Sequence, residues 1–188
     1  ANVTLVDNAV GRIVKAVDDA GLRDNTVVVF TSEHGDLVGT HGMLEMRTFY
    51  EHASKVPMLM RVPWMASEGR TIGGNFSQID LVPTLLELLG EPVPDGLHGV
   101  SRVGVLRGES ELADNDVFME HNGLGDRDLG NPVINELDSL PWRSVVTPDR
   151  WKLNLCAGDQ CELFDLNTDP YEETNLFNDP AQVDRVRR

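Results

Sequence analysis

Valines and isoleucines open the chain at helical spacing. Val3, Val6, Val10, Ile13 and Val17 fall three or four residues apart, with Val14 beside Ile13 and four after Val10, the period of a single apolar stripe. The stripe predicts an amphipathic helix ending near Gly21. Asp24 and Asn25 make a turn, and the period then changes. Thr26 to Phe30 is an unbroken run rich in β-branched residues, which predicts a strand buried on both faces. Helix, short loop and buried strand are the grammar of an α/β domain with a parallel sheet. A short helix over 48–54 and a second apolar run, Val56 to Val62, follow. Pro57 sits at the start of that run, where a missing N–H is tolerated, and Pro63 closes it. Gln78 to Leu89 predicts a helix with Asp80 near its N-terminus, Pro83 in its first turns and Gly90 as its terminator. Ser101 to Leu106 predicts another short helix.

From about residue 116 the pattern shortens. Val117 to Glu120, Trp142 to Thr147, Trp151 to Leu155 and Glu162 to Leu166 read as short strands, the last three joined by tight turns as an antiparallel meander. Asn122 to Leu140, rich in Gly, Asp and Asn, reads as a long loop, and Asp179-Pro180 caps a final helix. The expected organisation is therefore the C-terminal part of an α/β domain over 1–115 and a small antiparallel subdomain over 116–188.

Composition narrows the partners. With 31 acidic against 16 basic residues, the formal net charge of −15 argues against a nucleic-acid phosphate backbone as ligand. No window approaches the ~18 uncharged apolar residues of a membrane span, and no signal-peptide pattern is present. The chain opens on Ala1 rather than Met, which suggests a processed or excised chain. Cys156 and Cys161 bracket Ala-Gly-Asp-Gln, a plausible hairpin loop. A disulfide between them would point to a periplasmic or secreted protein and free thiols to the cytoplasm; a zinc site would want two more close ligands. Asn2-Val3-Thr4 and Asn75-Phe76-Ser77 match the N-glycosylation pattern formally.

The candidate chemistry lies in VVVFTSEHGDLVGTHG, residues 27–42. In open α/β sheets ligands sit beyond the carboxyl ends of strands, and Glu33 and His34 lie just past such an end. A carboxylate beside an imidazole can bind a divalent metal or hold an anion next to one. Gly35 lets the backbone turn there, and His41 returns across a glycine-rich loop. A strand-to-loop junction also collects such residues without any function.

Residues 25–63, NTVVVFTSEHGDLVGTHGMLEMRTFYEHASKVPMLMRVP, resemble the sulfatase branch of the alkaline-phosphatase superfamily. There a strand ends in S-D-H-G or S-D-N-G and is followed by H-G, K-x-x-x-Y-E and an R-V-P strand. FSQIDLVPTLLELLGEPVP, HGVSRVGVLRGE, WRSVVTPDRWKL and CELFDLNTDPYEETNL are similar to later segments of the same family, in order. The resemblance implies hydrolysis of a sulfate ester, or of a related phosphate or phosphonate ester, on a small molecule or glycan. It implies a calcium ion and a formylglycine nucleophile made within a C/S-x-P-S/A-R motif. Glu33 falls on the metal-binding Asp position and His34 on the Asn/His beside it; His34 and His41 are the candidate catalytic residues. Met46 falls on a Lys that contacts sulfate, and Arg47 next to it is the candidate substrate-binding residue. Glu51, after Tyr50, reads as structural. The formylglycine motif is absent from this chain, which therefore reads as the C-terminal portion of a sulfatase-like protein, inactive by itself. A missing N-terminal half, or a second copy of the chain, would cover its exposed sheet. Glu33 in place of Asp and Met46 in place of Lys keep two alternatives open: a non-catalytic binding protein, and a phosphate or phosphonate ester hydrolase using different metals.

Overall fold

The computed structural model describes residues 2–43, 46, 48–65, 68–123, 132 and 139–187. Contacts divide the chain into two units, Ala1–Glu33 with Val56–Thr71, and His34–Lys55 with Ile72–Arg188. The four-stranded sheet over 117–165 shares the second unit with segments 34–55 and 72–115.

The first unit holds helix α1 (Asn2–Asp19) and strands β1 (Val28–Thr31) and β2 (Met58–Arg61). The predicted helix and both predicted strands are present, each strand shorter than its apolar run. Asp18 near the end of α1 accepts Arg23 Nη1 at 2.6 Å and Arg61 Nη1 at 3.3 Å. The strands pair antiparallel, Val28 opposite Arg61 and Thr31 opposite Met58, not parallel as the helix-then-strand grammar suggests. A parallel return needs a crossover of a dozen or more residues, usually a long helix. The connection is long enough for one, but among the described residues its α-helix is α2 (Glu51–Ser54), four residues long and so only about 6 Å in rise. The apolar run reported burial and carried no information on direction. None of the described residues of this unit is buried; Val3, Leu5, Ile13 and Leu59 are all largely exposed. One helix on a two-stranded ribbon with no buried side chain falls short of an independently stable core.

The second unit contains α2, α3 (Leu81–Leu89), α4 (Val103–Arg107), the strands β3 (Val117–His121), β4 (Trp142–Val146), β5 (Trp151–Cys156) and β6 (Glu162–Asp165), and α5 (Val183–Val186). The strands form an antiparallel sheet in the order β3-β4-β5-β6, the expected meander. Two rows of its inner face decide the packing. Val146, Lys152 and Phe164 lie opposite one another across β4, β5 and β6, and so do Ser144, Asn154 and Glu162. Val146, Phe164 and Leu166 form the core cluster, with Tyr50 and Met119 packed against it. On β5 the face that goes inside is Lys152, Asn154 and Cys156, whereas Leu155 is 42% exposed. The predicted loop 122–140 lies outside the described residues except at 122, 123, 132, 139 and 140.

Cys156 and Cys161 are both free thiols, with Cys161 Sγ 3.7 Å from the Cys156 carbonyl oxygen. The register explains why they do not bridge. Asn154 faces Glu162, so one further step sets Cys161 opposite Leu155, and side chains of successive strand residues point to opposite faces.

Asp80 does not cap α3. It is buried, and its carboxylate accepts the Val100 amide at 2.9 Å and Arg102 Nε at 2.7 Å. Arg102 Nη2 donates to Asn115 Oδ1 at 2.6 Å, and Asn115 Nδ2 donates to the Asn75 carbonyl at 2.7 Å. The Asn75 amide then donates to the carbonyls of Asn115, Val146 and Thr147 at 3.1–3.2 Å. This relay ties α3 and α4 to β4. Its last member is the Asn of a formal glycosylation sequon, and in the fold that amide is committed to three acceptors. Asn75→Ala is expected to destabilise the second unit by about 2–3 kcal/mol, the cost of leaving part-buried carbonyls without donors, measured by urea unfolding of the protein; a change below about 0.5 kcal/mol would contradict the relay.

Candidate functional site

The segment that follows β1 combines local turns with contacts to the 49–54 turn. Ser32 Oγ donates to Glu33 Oε2 at 3.4 Å. His34 Nδ1 lies 2.6 Å from the Gly35 carbonyl oxygen. A carbonyl only accepts, so Nδ1 is the donor in this contact. Gly35 donates its N–H to Ala53 O at 2.8 Å. A Cβ at Gly35 would stand 1.9 Å from His52 O, so glycine is needed here for close backbone approach rather than for a left-handed turn. Asp36 Oδ1 accepts the Val38 amide at 2.8 Å, an Asx turn, and Leu37 drops into the core.

Two non-glycine residues of this segment lie in the left-handed region, Val38 at φ 48° and His41 at φ 54°. For β-branched Val38 that conformation costs about 1–2 kcal/mol. The far end of the segment is held by an aromatic stack. The His41 ring stacks on Tyr50 with centroids 3.9 Å apart and planes 12° from parallel. Tyr50 Oη donates to Glu162 Oε1 at 2.6 Å; Glu162 Oε2 accepts Asn154 Nδ2 at 3.0 Å; Asn154 Oδ1 accepts Ser144 Oγ at 2.7 Å. Burial, then the hydrogen bond to Glu162, push the Tyr50 phenol above its ordinary range. It therefore stays protonated and acts as a donor, never as a base.

Beside this relay lies a second contact between the 49–54 turn and the sheet. Lys152 Nζ donates to Phe49 O at 2.5 Å, Glu172 Oε1 at 2.9 Å, Glu51 Oε1 at 3.0 Å and Ser54 Oγ at 3.4 Å. The side chains of Lys152 and Glu172 are 0% exposed. Glu172 Oε2 also accepts the Glu51 amide at 2.6 Å. Burial raises the Glu172 carboxyl above the usual carboxylate range, with the charge of Glu51 adding to the rise and Lys152 opposing it. Glu51 thus has the structural role read for it.

The sequence-predicted site residues are placed as follows. Glu33 closes the first unit and His34 opens the second, adjacent in the chain. His41 lies at the far end of the 34–43 segment, docked on Tyr50. Arg47 lies outside the described residues, while Met46 is exposed. Among the described residues no three His, Cys, Asp or Glu side chains gather as a metal site. A Glu carboxylate and a His imidazole are residue types suited to a divalent cation but are only part of the six to eight donors that calcium takes. Lys152, Glu162 and Glu172 escaped sequence reasoning. The one available signal was a Lys in the middle of the alternating strand Trp151-Lys152-Leu153-Asn154; its partner Glu51 is 101 residues away, beyond any local pattern.

Residues 39–188 match the family model described as N-sulphoglucosamine sulphohydrolase, C-terminal. Arylsulfatase K of Xenopus laevis is 32% identical over 90% of this chain and 31% of its own length. The solved structure of BT4656 in complex with its substrate D-glucosamine-2-N,6-O-disulfate superposes with a TM-score of 0.83 at 25% identity, covering 98% of this chain and 36% of that one. The phosphonate monoester hydrolase of Agrobacterium radiobacter gives a TM-score of 0.79 at 31% identity, covering 97% and 36%. The chain spans about a third of the length of the curated relatives it matches.

Two outcomes test the geometry. Val38→Asn, which tolerates a left-handed backbone better, is expected to raise stability by about 1 kcal/mol in urea unfolding; a loss would contradict the strain. A Glu172 carboxyl raised by folding contributes its stability in full below the unfolded value of about 4.3 and loses it as pH rises through the folded value. Glu172→Gln is therefore expected to gain stability relative to wild type as pH rises past about 4.3, followed by urea midpoints across pH; the opposite slope would mean that Lys152 outweighs burial.

Proposed function

The chain belongs to the sulfatase family, as a C-terminal portion with the alkaline-phosphatase-like fold, and from that membership we propose that it completes a hydrolase of sulfate esters. The observation that carries the proposal is the family match over most of the chain together with Ser-Glu-His-Gly just beyond the end of β1. In this reading Glu33 and His34 are part of the ligand set of a divalent metal, calcium. When bound, that ion supplies Lewis-acid polarisation of the ester oxygens. The nucleophile, a formylglycine, belongs to the part of the protein outside this chain, and this chain alone does not turn over substrate.

The chain's own residues orient and bind. The Gly35 carbonyl accepts from His34 Nδ1, and the Tyr50 stack holds His41, so that the two imidazoles present fixed faces to substrate. Arg47 contributes the cation that Met46 does not, a charge suited to a sulfate group. The substrate is a small molecule or glycan carrying a sulfate ester, and the disulfated glucosamine named for BT4656 supports that class. Likeness to a phosphonate monoester hydrolase at 31% identity supports a second reading, cleavage of phosphonate esters. The remaining N-terminal part of the protein, or else a second copy of the chain, covers the first unit, whose described residues include none that is buried.

The full-length protein should hydrolyse 4-nitrophenyl sulfate faster than a phenyl phosphonate monoester, lose that activity on chelation and regain it with calcium. Faster phosphonate cleavage would select the second reading, and turnover of neither would leave a non-catalytic binding protein. The purified 188-residue chain should show no aryl sulfate turnover and should bind calcium more weakly than about micromolar by calorimetry, since only part of a ligand set is present. Turnover by the isolated chain would sink the proposal that it lacks the nucleophile.

A further inference from the structure

We infer that Lys152 is a positioning residue: from the four-stranded sheet its buried ammonium sets the 49–54 turn, and through that turn the whole segment carrying His34 and His41. Its effect on catalysis rests on the sulfatase reading above; its effect on the segment does not.

The geometry runs through named atoms. Three of the four acceptors around Lys152 Nζ, namely Phe49 O, Glu51 Oε1 and Ser54 Oγ, belong to one turn. The fourth, Glu172 Oε1, is fully buried, and the other oxygen of that carboxylate takes the Glu51 amide at 2.6 Å. The single Ser54 O–H is shared between the carbonyls of Phe49 at 2.9 Å and Tyr50 at 3.0 Å. The turn is thus wrapped around the ammonium. It also carries both ends of the preceding segment: Ala53 O accepts the Gly35 amide beside His34, and the Tyr50 ring supports His41. An ammonium has three donors and a full charge; they serve the Phe49 carbonyl and the two carboxylates, with the Ser54 hydroxyl as the longest, shared contact at 3.4 Å, a set no apolar side chain can organise. The sheet itself does not need it for pairing, because Lys152 is held in β5 by main-chain ladders to β4 and β6.

Lys152→Met alone would leave Glu51 and Glu172 buried without a cation, and removing one partner of a buried pair is strongly destabilising. The decisive variant is therefore the neutral set Lys152→Met with Glu51→Gln and Glu172→Gln, made in the full-length protein. Hydrogen exchange is read at the Gly35 and Ala53 amides and at the β4–β5 ladder, alongside kcat and KM on an aryl sulfate. Exchange at Gly35 and Ala53 is expected to speed by about tenfold or more while the β4–β5 amides keep their protection. On the same variant kcat is expected to fall about tenfold with KM within about threefold, the mark of misplaced reacting groups rather than lost ground-state binding. If the triple variant does not fold, Glu172→Gln alone, which keeps the ammonium but weakens one anchor, should show the same pattern at about threefold. Unchanged exchange at Gly35 and Ala53, or equal acceleration along β4 and β5, would overturn the inference. So would an unchanged kcat in an active protein. If the wild type hydrolyses neither ester, the sulfatase reading fails and the exchange comparison still decides the positioning role.

Discussion

A lysine ammonium with no exposed surface constrains everything around it. Lys152 sits on β5 between Val146 and Phe164, in the row that forms the core. Charge there is tolerated only when anions and carbonyls are drawn to it. Glu51 and Glu172 come from opposite ends of the unit to meet it, so one ion cluster joins α2, β5 and the segment after β6. Removing the cation alone would cost on the order of 3–5 kcal/mol, because two carboxylates would be left behind. The cluster is therefore both a staple and a register mark: the turn at 49–54 has only one place to close.

A second polar relay lies parallel to the first. Ser144, Asn154 and Glu162 cross the sheet as one row and end on Tyr50, whose ring carries His41. Together the two contacts mean that the small antiparallel sheet supports the segment after β1 rather than merely following it. Within the second unit the sheet is the base on which residues 34–43 are mounted. Rigid support of this kind is what a site needs when its residues come from a loop.

The first unit shows the opposite condition. α1 and the β1–β2 pair have clear amphipathic and apolar patterns, yet none of their described side chains is buried, and Val3 is 83% exposed. Patterns of that strength are made for covering. That fits a chain spanning about a third of its relatives' length, and it is why the full-length protein is the object to assay.

Most elements were legible in the sequence because each depends on local spacing: the stripe of valines in α1, the apolar run of β1, the Asp179-Pro180 cap, and the short turn-bounded runs of β3 to β6. The family was legible because its segments are ordered motifs, among them Ser-Glu-His-Gly after β1. What the sequence could not determine were choices made by distant partners. An apolar run reports that a strand is covered, not which way its neighbour runs, so β1 and β2 turned out antiparallel. Cysteine spacing reports a hairpin, not which face each thiol takes, so the pair stays unbridged. Asp80 has the composition of a helix cap, but Arg102 and the Val100 amide compete for it and win. Alternation in Trp151-Lys152-Leu153-Asn154-Leu155 marks a strand equally well whichever face goes inside. Only the tertiary structure, by bringing Glu51 and Glu172 to one ammonium, decided that the polar face is the buried one.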